Sequence, residues 1–274
     1  MKRIGFLHEQ IVSEENCRLA IINAAKHKKK RRNVQKVMDN LDFYAKDLSE
    51  RLVRLDFTSP YRTRIIKDGL SGKERELQIP AFYPVQCAHH AIVQVLQPLI
   101  MKSSYYWSCA NIPNRGIDRA AKGMERATMR DIKHAKYCVK MDIHKFYPSI
   151  PHDKLKEHLQ RKIKDKKALG IIHLVIDSYH SSPGHGIPIG NYTSPWLAEF
   201  YLQSLDYFIK QTLMIYIRIL HILLKRPGGL VNRIITLDTQ HFRHSRRMLH
   251  YRMQFEIGIY LFTSVCSSYP VARI

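Results

Sequence analysis

Apolar residues recur along most of this chain at three- and four-residue spacing, and that period gives way to short β-prone runs in two places. Residues 7 to 56 read as two helices. Leu19, Ala20, Ile21 and Ile22 precede a basic block from Lys26 to Lys36, and Val37, Leu41, Tyr44, Leu48, Leu52 and Leu55 form a stripe after it. At Pro60 the pattern changes. TSPYRTRIIKDGLSGKERELQIPAF reads as strand, turn and strand, with Asp68-Gly69 and Ser71-Gly72 as turn signals and several cations expected on one side of the ribbon. Pro84 to Lys102 predicts a helix with Val85, Ala88, Ile92, Val95 and Leu96 inward. His89 and His90 are adjacent on it and project about 100° apart, which predicts one core and one surface histidine.

The second β-prone run, Tyr137 to Met141, delivers Asp142 at its end, followed by Phe146, Tyr147 and a helix start at Pro148-Ser149. A carboxylate at the end of a buried strand is costly unless a cation or metal pairs with it. A hard ion such as Mg²⁺ takes one or two carboxylates plus substrate phosphates. An N-cap or a solvated strand-end acid fits Asp142 as well. Residues 184 to 210 open with Gly184, Gly186, Pro188 and Gly190, a loop whose backbone can lie close to a ligand. They continue as a helix marked by Trp196, Leu197, Phe200, Tyr201, Leu205 and Phe208.

With 274 residues the chain holds one large domain or two small ones, and 45% apolar content suits a packed core. Charge narrows the partners. A formal net charge of +22 points to a polyanion, nucleic acid first and an acidic membrane surface second. The block Lys28, Lys29, Lys30, Arg31 and Arg32 is read either as backbone contact or as a solvated face, and Arg115 and Arg119 in a later basic helix carry the same two readings. The 5 cysteines are scattered without a C-x-x-C pair, which suggests a reducing cytosol. The N-terminus lacks the apolar core of a signal peptide, and the run Thr212 to Leu224 is broken by Arg218 and His221, so no membrane span is expected.

Together, D-I-x-x-F-Y-x-S-I from Asp142, G-x-P-x-G-N-x-T-S from Gly186 and L-D-x-F-I from Leu205 resemble two conserved blocks of reverse transcriptases. The resemblance is nearest to the bacterial branch with group II intron, retron and diversity-generating retroelement enzymes. It implies an α+β fold, the fingers and partial palm of a right-hand polymerase, with an incomplete antiparallel palm sheet. The expected divisions are a basic helical arm over 1–59, fingers over 60–135, a partial palm over 136–220 and an unrecognised segment over 221–274.

The implied activity is nucleotidyl transfer from a dNTP to a DNA primer 3′ hydroxyl on an RNA template, assisted by a pair of Mg²⁺ ions. By resemblance Asp142 and the Ile143 carbonyl hold metal, and Lys67 and Arg75 hold the triphosphate. Tyr147 packs under the sugar, Gly190 lies against the nucleotide, and Asn191 and Ser194 bond template or base. The family's Y-x-D-D turn should follow. Ile215-Tyr216-Ile217-Arg218-Ile219-Leu220-His221-Ile222 starts in the right way but has no aspartate, and the only later carboxylates are Asp238 and Glu256. Lys225 is also the only lysine after residue 220. These features imply a frameshift near 212–220 and an impaired polymerase, or else a divergent chain using Asp238. A nucleic-acid-binding protein without catalysis is the alternative function.

Overall fold

The computed structural model describes residues 3–67, 72, 74–130 and 143–209, together with the strand backbones of 138–140 and 258–260. The chain forms two compact units, one from residues 1–112 with 145–215 and the other from 113–144 with 216–274.

In the first unit the apolar stripe of residues 7 to 55 is cut into four helices rather than two: α1 Leu7–Val12, α2 Glu14–Ala25, α3 Arg32–Asp39 and α4 Leu41–Arg54. The breaks have local causes. Ser13 leaves helical geometry so that its hydroxyl can accept from Asn16 N at 3.2 Å, which starts α2. The lysine-rich Lys26–Lys30 stretch forms turns in place of helix, and Asn40 separates α3 from α4 with non-helical φ −124° and ψ 46°. Leu7, Ile11, Ile21, Leu48 and Leu52 bury the seam between these helices.

A ribbon follows, β1 Arg62–Lys67 antiparallel to β2 Glu74–Ile79, with register Arg62 opposite Ile79 and Lys67 opposite Glu74. A wide turn at Phe82–Gln86 then leads into α5 Cys87–Ser103. Both α5 histidines are buried, His89 1% and His90 8% exposed, which corrects the expectation of one in each environment. The reason is tertiary: α5 packs against α1, α2 and α4 and also against the later α10, Ser194–Tyr207.

The unit is completed by α7 Phe146–Ser149, α8 His152–Lys162 and α9 Lys166–Asp177, with Leu155, Leu159, Ile171, Ile172 and Ile176 fully buried. Asp165 caps two helices at once. Its Oδ1 accepts from Ala168 N at 3.2 Å in α9, and its Oδ2 accepts from Leu7 N and His8 N, each at 2.9 Å, in α1. These backbone donors hold the carboxyl below the usual aspartate range against the opposing effect of burial.

The second unit contains α6 Ile117–Arg130 and a strand pair, β3 Cys138–Lys140 antiparallel to β4 Gly258–Tyr260. The β3 strand, which carries the run toward Asp142, therefore pairs with three residues of the segment after 220. Both described sheets are small and antiparallel, and helices supply most of the described structure. No described helix is long and apolar enough to cross a membrane.

Candidate active site

One loop, between α9 and α10, gathers most of the expected contacts of the first unit. Its first half is stitched by backbone to the segment that follows Lys145. Ile187 N donates to the Tyr147 carbonyl at 3.0 Å, Gly186 N to the Ile150 carbonyl at 2.8 Å, and His152 N to the Gly184 carbonyl at 2.9 Å. Tyr147 is half-buried, and burial raises its phenol above the ordinary tyrosine value. Its ring meets Phe146 edge-on at 5.8 Å.

The second half of the loop sits on the root of the ribbon. Gln78 N donates to the Ile189 carbonyl at 2.7 Å, and a Cβ on Gly190 would fall 2.8 Å from the Gln78 carbonyl oxygen. With φ at +116°, Gly190 is thus required by its packing on β2, whatever else approaches it. Asn191 is 3% exposed; its Nδ2 donates to the Tyr61 hydroxyl at 2.9 Å, which is 2.7 Å from Ser178 Oγ. Asn191 Oδ1 has no protein partner, and neither does Ser194 Oγ, on a residue 1% exposed. A buried polar atom left unpaired costs roughly 1–3 kcal/mol, and the protein itself compensates neither of these two.

Helix α5 grips the same turn from behind. His89 Nδ1 lies 3.2 Å from Thr193 Oγ1, and the His90 ring stacks on Tyr192 with centroids 3.9 Å apart and planes 9° from parallel. Burial, then the adjacent His90, pushes His89 down to about 3; burial, then Lys28 and Lys26, pushes His90 down to about 4. Both rings are neutral near pH 7. Pro195 occupies the first turn of α10, where its missing N–H costs nothing. Sequence reading missed the grip of α5, because nothing local says which turn the histidines meet.

Of the described ribbon cations three share one face, and Lys67 lies on the other. Side chains alternate faces along a strand, and the register places Arg62, Arg64 and Arg75 on one face with Ile66, Leu77 and Ile79. Lys67 lies on the opposite face with Glu74 and Glu76, and its Nζ is 3.3 Å from Glu74 Oε1. Lys67 and Arg75 therefore do not form a pair on one side. The exposed Lys67–Glu74 contact contributes at most about 1 kcal/mol and leaves the lysine available to an anion.

In the basic block Lys29, Lys30, Arg31 and Arg32 are exposed and Lys28 is half-buried, its pKa lowered by burial and then by Arg31. Arg115 and Arg119 belong to the second unit and are half-buried there, as is Ile143. Asp142 lies outside the described residues, as do Asp238 and the stretch Ile215 to Ile222. Among the described residues no three His, Cys, Asp or Glu side chains come together as a metal site. One acidic pair was not foreseen: Glu199, buried in α10, accepts from Ser108 Oγ at 2.7 Å, and Asp206 on the same helix is pushed up to about 6 by burial and by Glu199.

Residues 67–223 match the model of the reverse transcriptase (RNA-dependent DNA polymerase) family. The chain belongs to that family. An uncharacterised 91 kDa protein in the cob intron of Schizosaccharomyces pombe is 27% identical over 63% of this chain and 22% of its own length. The group II intron-encoded protein LtrA of Lactococcus lactis subsp. cremoris is 29% identical over 58% of this chain and 26% of its own. A putative COX1/OXI3 intron 2 protein of Saccharomyces cerevisiae is 30% identical over 28% of this chain and 10% of its own. The chain thus matches about a quarter or less of each of these intron-encoded relatives.

Proposed function

We propose that this chain binds an RNA template, a DNA primer and an incoming dNTP, as the fingers and partial palm of an RNA-directed DNA polymerase. The observation that carries the reading is the turn from Gly190 to Ser194. It is held by the ribbon, by Tyr61 and by α5, yet it leaves two buried polar atoms without a protein partner. Polar groups that the protein leaves unpaired gain hydrogen bonds if this turn opens to a base or sugar, which is why the turn is assigned to the nucleotide. Tyr147, tied by its carbonyl to the same loop, is the residue proposed to lie under the nucleotide sugar. Arg75 would meet the triphosphate together with Arg62 and Arg64, while Lys67 would reach it around the ribbon edge. Lys28 to Arg32, Arg115 and Arg119 are assigned to template and primer phosphates.

Asp142 and the Ile143 carbonyl are the residues that would hold Mg²⁺, which neutralises charge on the transferring phosphate and the leaving pyrophosphate. A second reading, binding without catalysis, is favoured by one sequence fact: after Asp206 only Asp238 and Glu256 are acidic, so no paired aspartate follows. Nucleotide incorporation on poly(rA)/oligo(dT) with Mg²⁺, run beside Asp142→Ala, separates the two. Incorporation lost in the variant supports the polymerase. Salt-sensitive primer–template binding without incorporation supports the binding protein, and no binding at all would remove both readings.

A further inference from the structure

The same turn carries a ring that the proposed nucleotide contacts do not use. Tyr192 is 39% exposed while its inner face lies flat on His90. A parallel stack on a buried, neutral imidazole holds the phenol in one orientation before any ligand arrives. Little rotamer entropy is then lost when the outer face is covered.

The charge around this ring is of one sign. After burial, Lys28 and Lys26 contribute to the lowered pKa of His90, in keeping with a basic turn near the stack. Helix α2 packs on α5, and α3 packs on the wide turn that leads into α5, so the turn between α2 and α3 is carried there by the fold. The sequence contains no carboxylate between Glu15 and Asp39, between Glu76 and Asp118, or between Asp177 and Glu199, the three stretches that meet here. Helix α4 also packs on α2, α3 and α5, but its Asp47 is already paired with Arg51 and Tyr83. A merely solvated basic face requires neither an acid-poor neighbourhood nor a fixed aromatic ring beside it. Single-stranded nucleic acid uses both, with phosphates on the cations and a base on the ring.

We propose that Tyr192, seated on His90 beside the Lys26–Arg31 turn, is a stacking platform for one base of a single-stranded nucleic acid whose phosphates follow that turn. The proposal rests on the nucleic-acid reading above and adds the residue and the mode of contact.

The test is fluorescence anisotropy of a labelled single-stranded RNA 12-mer with the full chain, over a salt series, beside the same oligomer made abasic. Tyr192→Ala is expected to weaken binding of the normal oligomer about tenfold without changing the salt slope, as for a lost base stack. Tyr192→Phe keeps wild-type affinity, and on the abasic oligomer wild type and Tyr192→Ala bind alike. Lys29→Ala with Lys30→Ala lowers the log–log salt slope by about 1.4, the loss of two single-strand phosphate contacts. Equal losses in Tyr192→Ala and Tyr192→Phe, or a Tyr192→Ala loss that persists on the abasic oligomer, would overturn the platform and leave the ring a structural role. A wild-type chain that binds no RNA but binds phosphatidylserine vesicles would overturn the underlying nucleic-acid reading instead.

Discussion

Replacing Gly190 by alanine tests the central geometric claim, that the loop before α10 is locked on the root of the ribbon. Two costs add. At φ +116° an L residue is strained by about 1–3 kcal/mol. The new methyl would also sit 2.8 Å from the Gln78 carbonyl oxygen, which belongs to backbone and cannot rotate away. The strand must retreat, and the 2.7 Å bond from Gln78 N to the Ile189 carbonyl, worth about 1 kcal/mol, is lost with it. The expected destabilisation is about 2–4 kcal/mol. Gly72→Ala is the control, because Gly72 has φ +64° with nothing within 4 Å of its Cβ and should lose only the left-handed strain of about 1–2 kcal/mol. Urea unfolding followed by circular dichroism on wild type and both variants measures the difference. If Gly190→Ala costs no more than Gly72→Ala, the loop is not pinned on β2 and the preorganisation argued for Asn191 loses its basis.

Three further outcomes are expected. Asp165→Ala, which removes caps from both α1 and α9, should cost about 2 kcal/mol at pH 7 by chemical denaturation. Because the folded carboxyl lies below its unfolded value of 3.8, the wild-type advantage is present above pH 4 and fades as acid titrates the folded group; a constant difference down to pH 2 would contradict the assignment. Asp206 has the opposite sign: its folded value near 6 exceeds 3.8, so stability is highest below pH 4 and falls as pH rises toward 6. Asp206→Asn should flatten that slope and raise the melting stability at pH 7 by roughly 1 kcal/mol, a figure reduced for partial exposure. Gly170→Ala, inside α9 with open space at the Cβ, should stabilise by about 0.5–1 kcal/mol, and a loss in thermal melting would mean α9 is not a regular helix there.

Much of the local architecture was legible in the sequence because it is fixed by short-range terms. Alternation around two turn signals marked the ribbon, and a glycine-rich loop followed by a three- and four-residue apolar stripe marked the approach to α10. The excess of cations pointed to a polyanionic partner, and three spaced blocks pointed to the family that residues 67–223 match. These signals need no knowledge of what lies across the core.

Tertiary structure decided the rest. The break of the stripe into α1 to α4 was less legible, because Ser13 and Asn40 leave helical geometry at points that apolar spacing does not mark. The ribbon register put Lys67 and Arg75 on opposite faces, and a single-residue change in pairing would have reversed that. His89 and His90 are both buried because α10 and the N-terminal helices all pack on α5, a fact absent from the helical period of α5 itself. Composition and spacing therefore named many of the elements and the family. Which groups meet, and which polar atoms are left waiting in the turn at Asn191 and Ser194, depended on contacts between residues far apart in the chain, whose free energy no local pattern encodes.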